Sequence, residues 1–264
     1  MQYYYLVSSL PGIRYDAEKL PIKRLEFDRR VLESVSAEHL GLFNALKYRV
    51  DNRNLVEIMS GGGKFAEGGC YSKEEFEYGI KTNSGLPGYM LDFISEESKP
   101  GILPEDSLWG FYLKFIGELS SFLSSYFEFE RNLRNILTVL NAKNSGLAFD
   151  ERVVGSDDYV AEAVRHSSAS DFGLGREFLF VDRLSELIKN KNYFELERFA
   201  GRLRFEAVET FLSGHYFTIE SVLGYSLKLE IVERFTSLDA EAGLNRLEDL
   251  SGKYAGNKSL YEYV

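Results

Sequence analysis

The chain has 264 residues, 44% hydrophobic and 27% charged, with 31 basic against 41 acidic side chains and a formal charge of −10. That length can bury a sizeable core in one or two domains, and 20 Phe with 17 Tyr exclude a disordered chain. The negative charge argues against nucleic acid, whose phosphates need a basic surface to displace their counterions, and a lone cysteine, Cys70, excludes an intramolecular disulfide framework or a zinc knuckle built on thiolates.

The opening, MQYYYLVSSLPG, lacks the basic start of a signal peptide, and no apolar run approaches the ~20 residues that span a bilayer. A soluble, intracellular protein in a reducing compartment is expected. Gln2 to Leu10 has the aromatic and β-branched content of a strand or an extended arm. Ala37 to Ile58 reads as a helix, and the Gly-rich stretch 60–69 as a loop. Ser72-x-x-Glu75 is a capping box opening a short helix to Lys81, and 84–88 is a second loop.

From Pro104 to Gly146 an apolar seam recurs at steps of four and three: Leu108, Tyr112, Phe115, Leu119, Phe122, Tyr126, Phe129, Leu133, Ile136 and Leu140. Pro104 with Glu105 and Asp106 suits a first turn, and Lys143 with Gly146 suits a last one. One helix of roughly 60 Å is expected.

After a polar stretch at 148–158, Arg176 to Lys189 is amphipathic. Asn192 can cap a helix from Tyr193 to Ser213, which Gly214 stops. Thr218 can cap another helix to Phe235, and Asp239 or Ala240 begins a last one through Leu244, Leu247 and Leu250. The expected fold is all-α, a bundle of long helices. Residues 1–100 would form an N-terminal helical unit with an extended arm and Gly-rich loops, and 101–264 a long-helix bundle with second and third helical units.

The usual motifs of chemistry are weak. Gly61-Gly62-Gly63-Lys64 is no phosphate loop, because Ile58 and Phe65 stand where Gly and Ser or Thr are needed. His39, His166 and His215 lack the partners of a helical metal site. Asp157 and Asp158, the one opening for a helical metal-dependent enzyme, have no facing acidic cluster; Ser156 as a cap with carboxylates in a first turn explains them. The residues therefore suggest no catalytic centre, no cofactor and no metal.

A helix signature repeats instead. Arg53-Asn54-Leu55-x-x-Ile58 recurs 78 positions later as Arg131-Asn132-Leu133-x-x-Ile136, and a weaker echo is Tyr225-x-x-Lys228-x-Glu230-x-x-x-Arg234. Glu130 with Arg134 and Glu230 with Arg234 have the i, i+4 acid-before-base spacing of ordinary helix pairs. They equally suit charged residues kept inside the junctions of repeated helical units.

These residues resemble the central-stalk C subunit of V-type and archaeal A-type ATPases, known as the d subunit in eukaryotic complexes. That family has helical pseudo-repeats, each with a helix reading roughly E/D-x-x-N-L-R before a Lys-Gly stop. Glu130, Arg131, Asn132, Leu133 and Arg134 through Lys143 and Gly146 are similar to the central copy. Tyr225, Lys228, Glu230 and Arg234 lie on the pattern of the last copy, and Asn54 with Leu55 on an eroded first copy. Val56 departs from the pattern where Arg is expected, as does Val232-Glu233 where Asn-Leu is expected.

The resemblance implies a non-catalytic, funnel-like socket of a shortened bacterial type. It implies contacts with the central shaft and the proteolipid ring, a peripheral place on the cytoplasmic face of a membrane complex, no direct membrane insertion and no cofactor. A helical scaffold or regulatory adaptor unrelated to rotary ATPases is the competing expectation.

Overall fold

The computed structural model describes residues 2–96, 104–149, 152–155, 159–169 and 171–236. Among them the secondary structure is eleven α-helices and no strand, so the fold is all-α. In chain order these are α1 (Tyr4–Ser9), α2 (Arg24–Ser34), α3 (Ala37–Met59), α4 (Lys73–Thr82), α5 (Gly88–Ser95) and α6 (Pro104–Leu119). They are followed by α7 (Ser121–Ser145), α8 (Tyr159–His166), α9 (Val181–Lys189), α10 (Tyr193–Phe211) and α11 (Ile219–Thr236). Asp157, Asp158 and the helix expected after Asp239 lie outside the described residues.

Local signals set several boundaries. Ser72 accepts from the Glu75 amide at 3.2 Å while the Glu75 carboxylate accepts from the Ser72 amide at 2.7 Å, so the capping box opens α4. Asn192 accepts from the Glu195 amide at 3.3 Å and starts α10. Gly146 ends α7 with φ +67°, in the left-handed region that favours glycine.

Four expectations are corrected. The N-terminal arm is neither strand nor extended. It has no strand to pair with among the described residues, and it winds into α1 so that Leu6 enters the core. The long helix from Pro104 is two helices: Ser120 is extended (φ −160°, ψ 137°) and turns α7 back against α6. The seam is buried in two parts: Leu108, Tyr112, Phe122 and Tyr126 in the core around the α6–α7 hairpin, where Tyr112 and Phe127 meet edge to face at 5.4 Å, and Leu133, Ile136 and Leu140 in a second core. The helix expected from Arg176 begins only at Val181, after a run of turns. Thr218 caps nothing, for its hydroxyl is buried without a partner.

Two apolar cores form. The first gathers α1 to α6, the start of α7 (Phe122, Leu123, Tyr126, Phe127), Val208 of α10 and most of the buried face of α11. The second is built from the rest of α7 (Leu133, Ile136, Val139, Leu140), α8, α9 and Leu196 of α10. Hence α7 and α10 both cross from one core to the other. The N-terminal segment runs beside α11 throughout: the Tyr3 amide donates to the Phe217 carbonyl, Tyr225 donates to the Pro11 carbonyl at 3.0 Å, and Tyr15 packs on Phe235.

Candidate functional site

Helices α3, α7, α10 and α11 meet around a cleft of about 100 Å³. Its lining includes Arg49, Arg204 and Arg234 against Glu130, Glu197 and Glu230, three charges of each sign, with Tyr15, Tyr126 and Phe235 among the apolar members. Glu130 of α7 accepts from Arg204 Nε of α10 through both oxygens, at 3.1 and 2.9 Å. Glu230 of α11 accepts from Arg49 of α3 and stands 4.0 Å from Arg24 of α2, whose other nitrogen donates to Ser226 Oγ at 2.9 Å. Arg234 donates to Glu197 at 3.1 Å.

Glu230 and Arg234 lie on the exposed rim, whereas each of Arg49, Glu130 and Arg204 stands at a helical position otherwise reserved for apolar residues, so folding carries it into the junction. Its partner then has to follow, because an unpaired buried charge costs several kcal/mol. Burial alone would raise the Glu130 carboxyl. The charge and hydrogen bond of Arg204, with Arg49 and Arg134 further off, hold it below the usual carboxylate range instead. Burial would likewise lower the guanidiniums of Arg49 and Arg204, but Glu230 and Glu130 respectively hold them above their ordinary values. Tyr126 is raised well beyond its ordinary value, first by burial and then by Glu130. Such an arrangement keeps the ions paired. The Glu130 carboxyl, held below the usual range, is not poised to exchange protons near neutrality, and the pairs tie four helices to one another.

The resemblance residues divide between this junction and the rest of the fold. Glu130, Glu230 and Arg234 line it together. Their pairing corrects the i, i+4 expectation: Glu130 takes Arg204 and Glu230 takes Arg49, while Arg134 reaches back to Asp106 and Arg234 reaches Glu197. Lys228 stands 3.5 Å from Glu209 and over the Phe205 ring. Tyr225 packs on Phe27, and burial pushes its hydroxyl up to about 12. Lys143 donates to the Ser167 carbonyl at 3.1 Å and lies over Phe172, with burial lowering its pKa. Arg131 is 3.8 Å from Glu128, and Asn132 accepts weakly from it at 3.4 Å. Leu55 is buried in the first core and Leu133 in the second.

Asn54 has a distinct task. Its amide donates to the Ala66 carbonyl at 2.9 Å and accepts from the Ala66 amide at 2.8 Å, bracketing the loop after α3. The counterpart on α7 is Asn135, which brackets Val154 at 2.8 and 3.0 Å. The structural repeat therefore runs over 81 positions rather than the 78 that align Asn54 with Asn132. In that register Arg49 corresponds to Glu130, and each supplies its helix's charge to the junction. Beside Asn54, the buried carboxylate of Asp51 accepts from the amides of Cys70, at 3.0 and 2.9 Å, and Tyr71, at 3.2 Å. The loop after α3 is thus tied down rather than loose.

Residues 1–253 match the family model described as "Protein of unknown function (DUF2764)". The chain belongs to the DUF2764 family. No curated protein and no solved structure matches it.

Sequence reasoning missed several residues of the DUF2764 junction, chiefly Arg49, Arg204, Glu197 and Tyr15. A signal for Arg49 was present: it interrupts the apolar row of Leu42, Leu46 and Val56 at heptad spacing, as Glu130 interrupts Leu123 and Leu137. Among the described residues no group of three or more His, Cys, Asp or Glu stands ready to hold a metal, and no helix is long and apolar enough to cross a membrane.

Proposed function

We propose that this DUF2764 chain is a non-catalytic member of a V/A-type rotary ATPase, a socket that couples the central shaft to the proteolipid ring from the cytoplasmic face of the complex. The observation that supports the reading is the convergence of Glu130, Glu230 and Arg234, drawn from the central and last resemblance motifs, on one junction. A component that passes torque must not deform. Helices locked by paired charges at their crossing meet that need, as does the N-terminal segment strapped along α11. The funnel-like disposition of helical units belongs to the same reading.

A tagged copy purified under gentle solubilisation from native membranes should bring the catalytic, shaft and ring subunits with it, whereas bare anionic liposomes should not recruit it. Absence of all three would sink the proposal. A helical adaptor would then be favoured by the apolar side chains exposed on one flank of α2, Leu25 at 82% and Leu32 at 56%.

A further inference from the structure

The two apolar cores are joined by a layer of a different kind. Where α7 leaves the first core for the second it carries Glu130, and where α10 makes the same passage it carries Arg204; these two side chains bond to each other. The pair Arg234–Glu197, of α11 and α10, lies around the same cleft, where Arg49–Glu230 ties α3 to α11 within the first core. Interdigitated apolar side chains cannot slide without opening voids or exposing hydrocarbon. Ion pairs beside a cleft can slide, because entering water replaces the partner each charge gives up.

Besides Arg134, which ties α7 to Asp106 of α6, Tyr15 reaches across this layer. The segment between α1 and α2 is packed on the first core through Leu10, Ile13 and Leu20. From it Tyr15 reaches α10, donating its hydroxyl hydrogen bond to the Arg198 carbonyl. Its ring lies 5.8 Å from Phe205 and 5.4 Å from Phe235, with the Arg202 guanidinium 5.8 Å from its centre. Gly201 makes room for it: a Cβ there would stand 2.9 Å from the hydroxyl oxygen and 3.4 Å from the ring.

We propose that the ionic layer is a shear hinge between two lobes, one around each core, and that Tyr15 is the latch that holds it shut. The latch closes on α10 just where that helix changes lobes, so releasing it frees the second lobe to shift while each core stays packed. This stands on the geometry of the chain alone; with Tyr15 in place the layer is held shut, which is the state the rotary reading needs.

The test measures spin-label distances in the full chain with Cys70→Ser as background. One pair, Glu33→Cys on α2 and Glu186→Cys on α9, spans the lobes; a control pair, Glu33→Cys and Glu77→Cys on α4, stays within the first. With Tyr15 present both pairs should give single narrow distributions. Tyr15→Ala should at least double the width of the 33–186 distribution, or add a second distance, and leave 33–77 unchanged. Tyr15→Phe, which keeps the ring and loses the hydrogen bond, should give a smaller change of the same kind, and it carries the test if the alanine variant does not fold. An unchanged 33–186 distribution, or equal broadening of both pairs, overturns the proposal.

Discussion

Arg134 of α7 donates a hydrogen bond to the carboxylate of Asp106, which lies 28 residues earlier at the start of α6. On one unbroken helix those residues would stand about 42 Å apart at 1.5 Å per residue. Their contact is the signature of the hairpin at Ser120, and the Arg134 guanidinium also lies over the Trp109 ring at 5.8 Å.

Asp106 is only 7% exposed, so Arg134→Ala leaves a carboxylate with little water to replace its partner. The expected loss is about 2 kcal/mol, held down because Arg134 is itself partly exposed and Asp106 can take up a proton. Arg234→Ala, by contrast, removes an arginine whose side chain is 67% exposed, and should cost less than about 0.5 kcal/mol. Urea melts of the two variants should separate them; equal losses would contradict the hairpin clamp.

Glu130 has its folded pKa held below the unfolded value of 4.5, so its ionised form favours folding. That contribution is present in full above pH 4.5 and is lost as pH falls through the depressed folded value. Glu130→Gln should therefore be less stable than the wild type at pH 6, with the gap narrowing by pH 3. Asp51 and Asp106 act with the opposite sign, since burial raises both in spite of their partners. The measurement is the difference between two pH–stability curves, which cancels them.

Burial first, and then the charge of Asp51, push the Cys70 thiol up to about 12. The thiol should react slowly with disulfide reagents at pH 8. In Asp51→Ala the second cause disappears and the loop is unclasped, so the rate should rise on the order of tenfold, one pKa unit. A chemical-modification time course on the folded variants checks this.

Asn54→Ala and Asn135→Ala each remove two hydrogen bonds and orphan a backbone amide and carbonyl, at Ala66 and Val154 respectively. Each should cost about 2 kcal/mol. Asn132→Ala removes only a weak contact and should cost clearly less. Thermal melts in which Asn132 behaved like Asn54 would restore the 78-residue register.

What the sequence by itself determined was local and periodic. The helical class and the spans of α3, α10 and α11 follow from apolar rows at 3.5–3.6 spacing. The starts of α4 and α10 and the end of α7 follow from Ser72, Asn192 and Gly146, because a cap acts within one turn of its own residue. The tertiary structure decided whatever depends on what lies across from a residue. A heptad seam is satisfied equally by one long helix or by two folded together, so only packing told α6 from α7. Gln2 to Leu10 has strand-like composition, yet with no strand beside it among the described residues the backbone bonds of Tyr4–Ser9 close within a helix. Glu130 and Glu230 each had an arginine four residues along their own helix. Burial excluded water from Glu130 and drew in Arg204, because a desolvated charge is stabilised by the cation that shares its interior, not by the nearest one in the chain; Glu230, about half exposed, is reached instead by the largely buried Arg49 of α3.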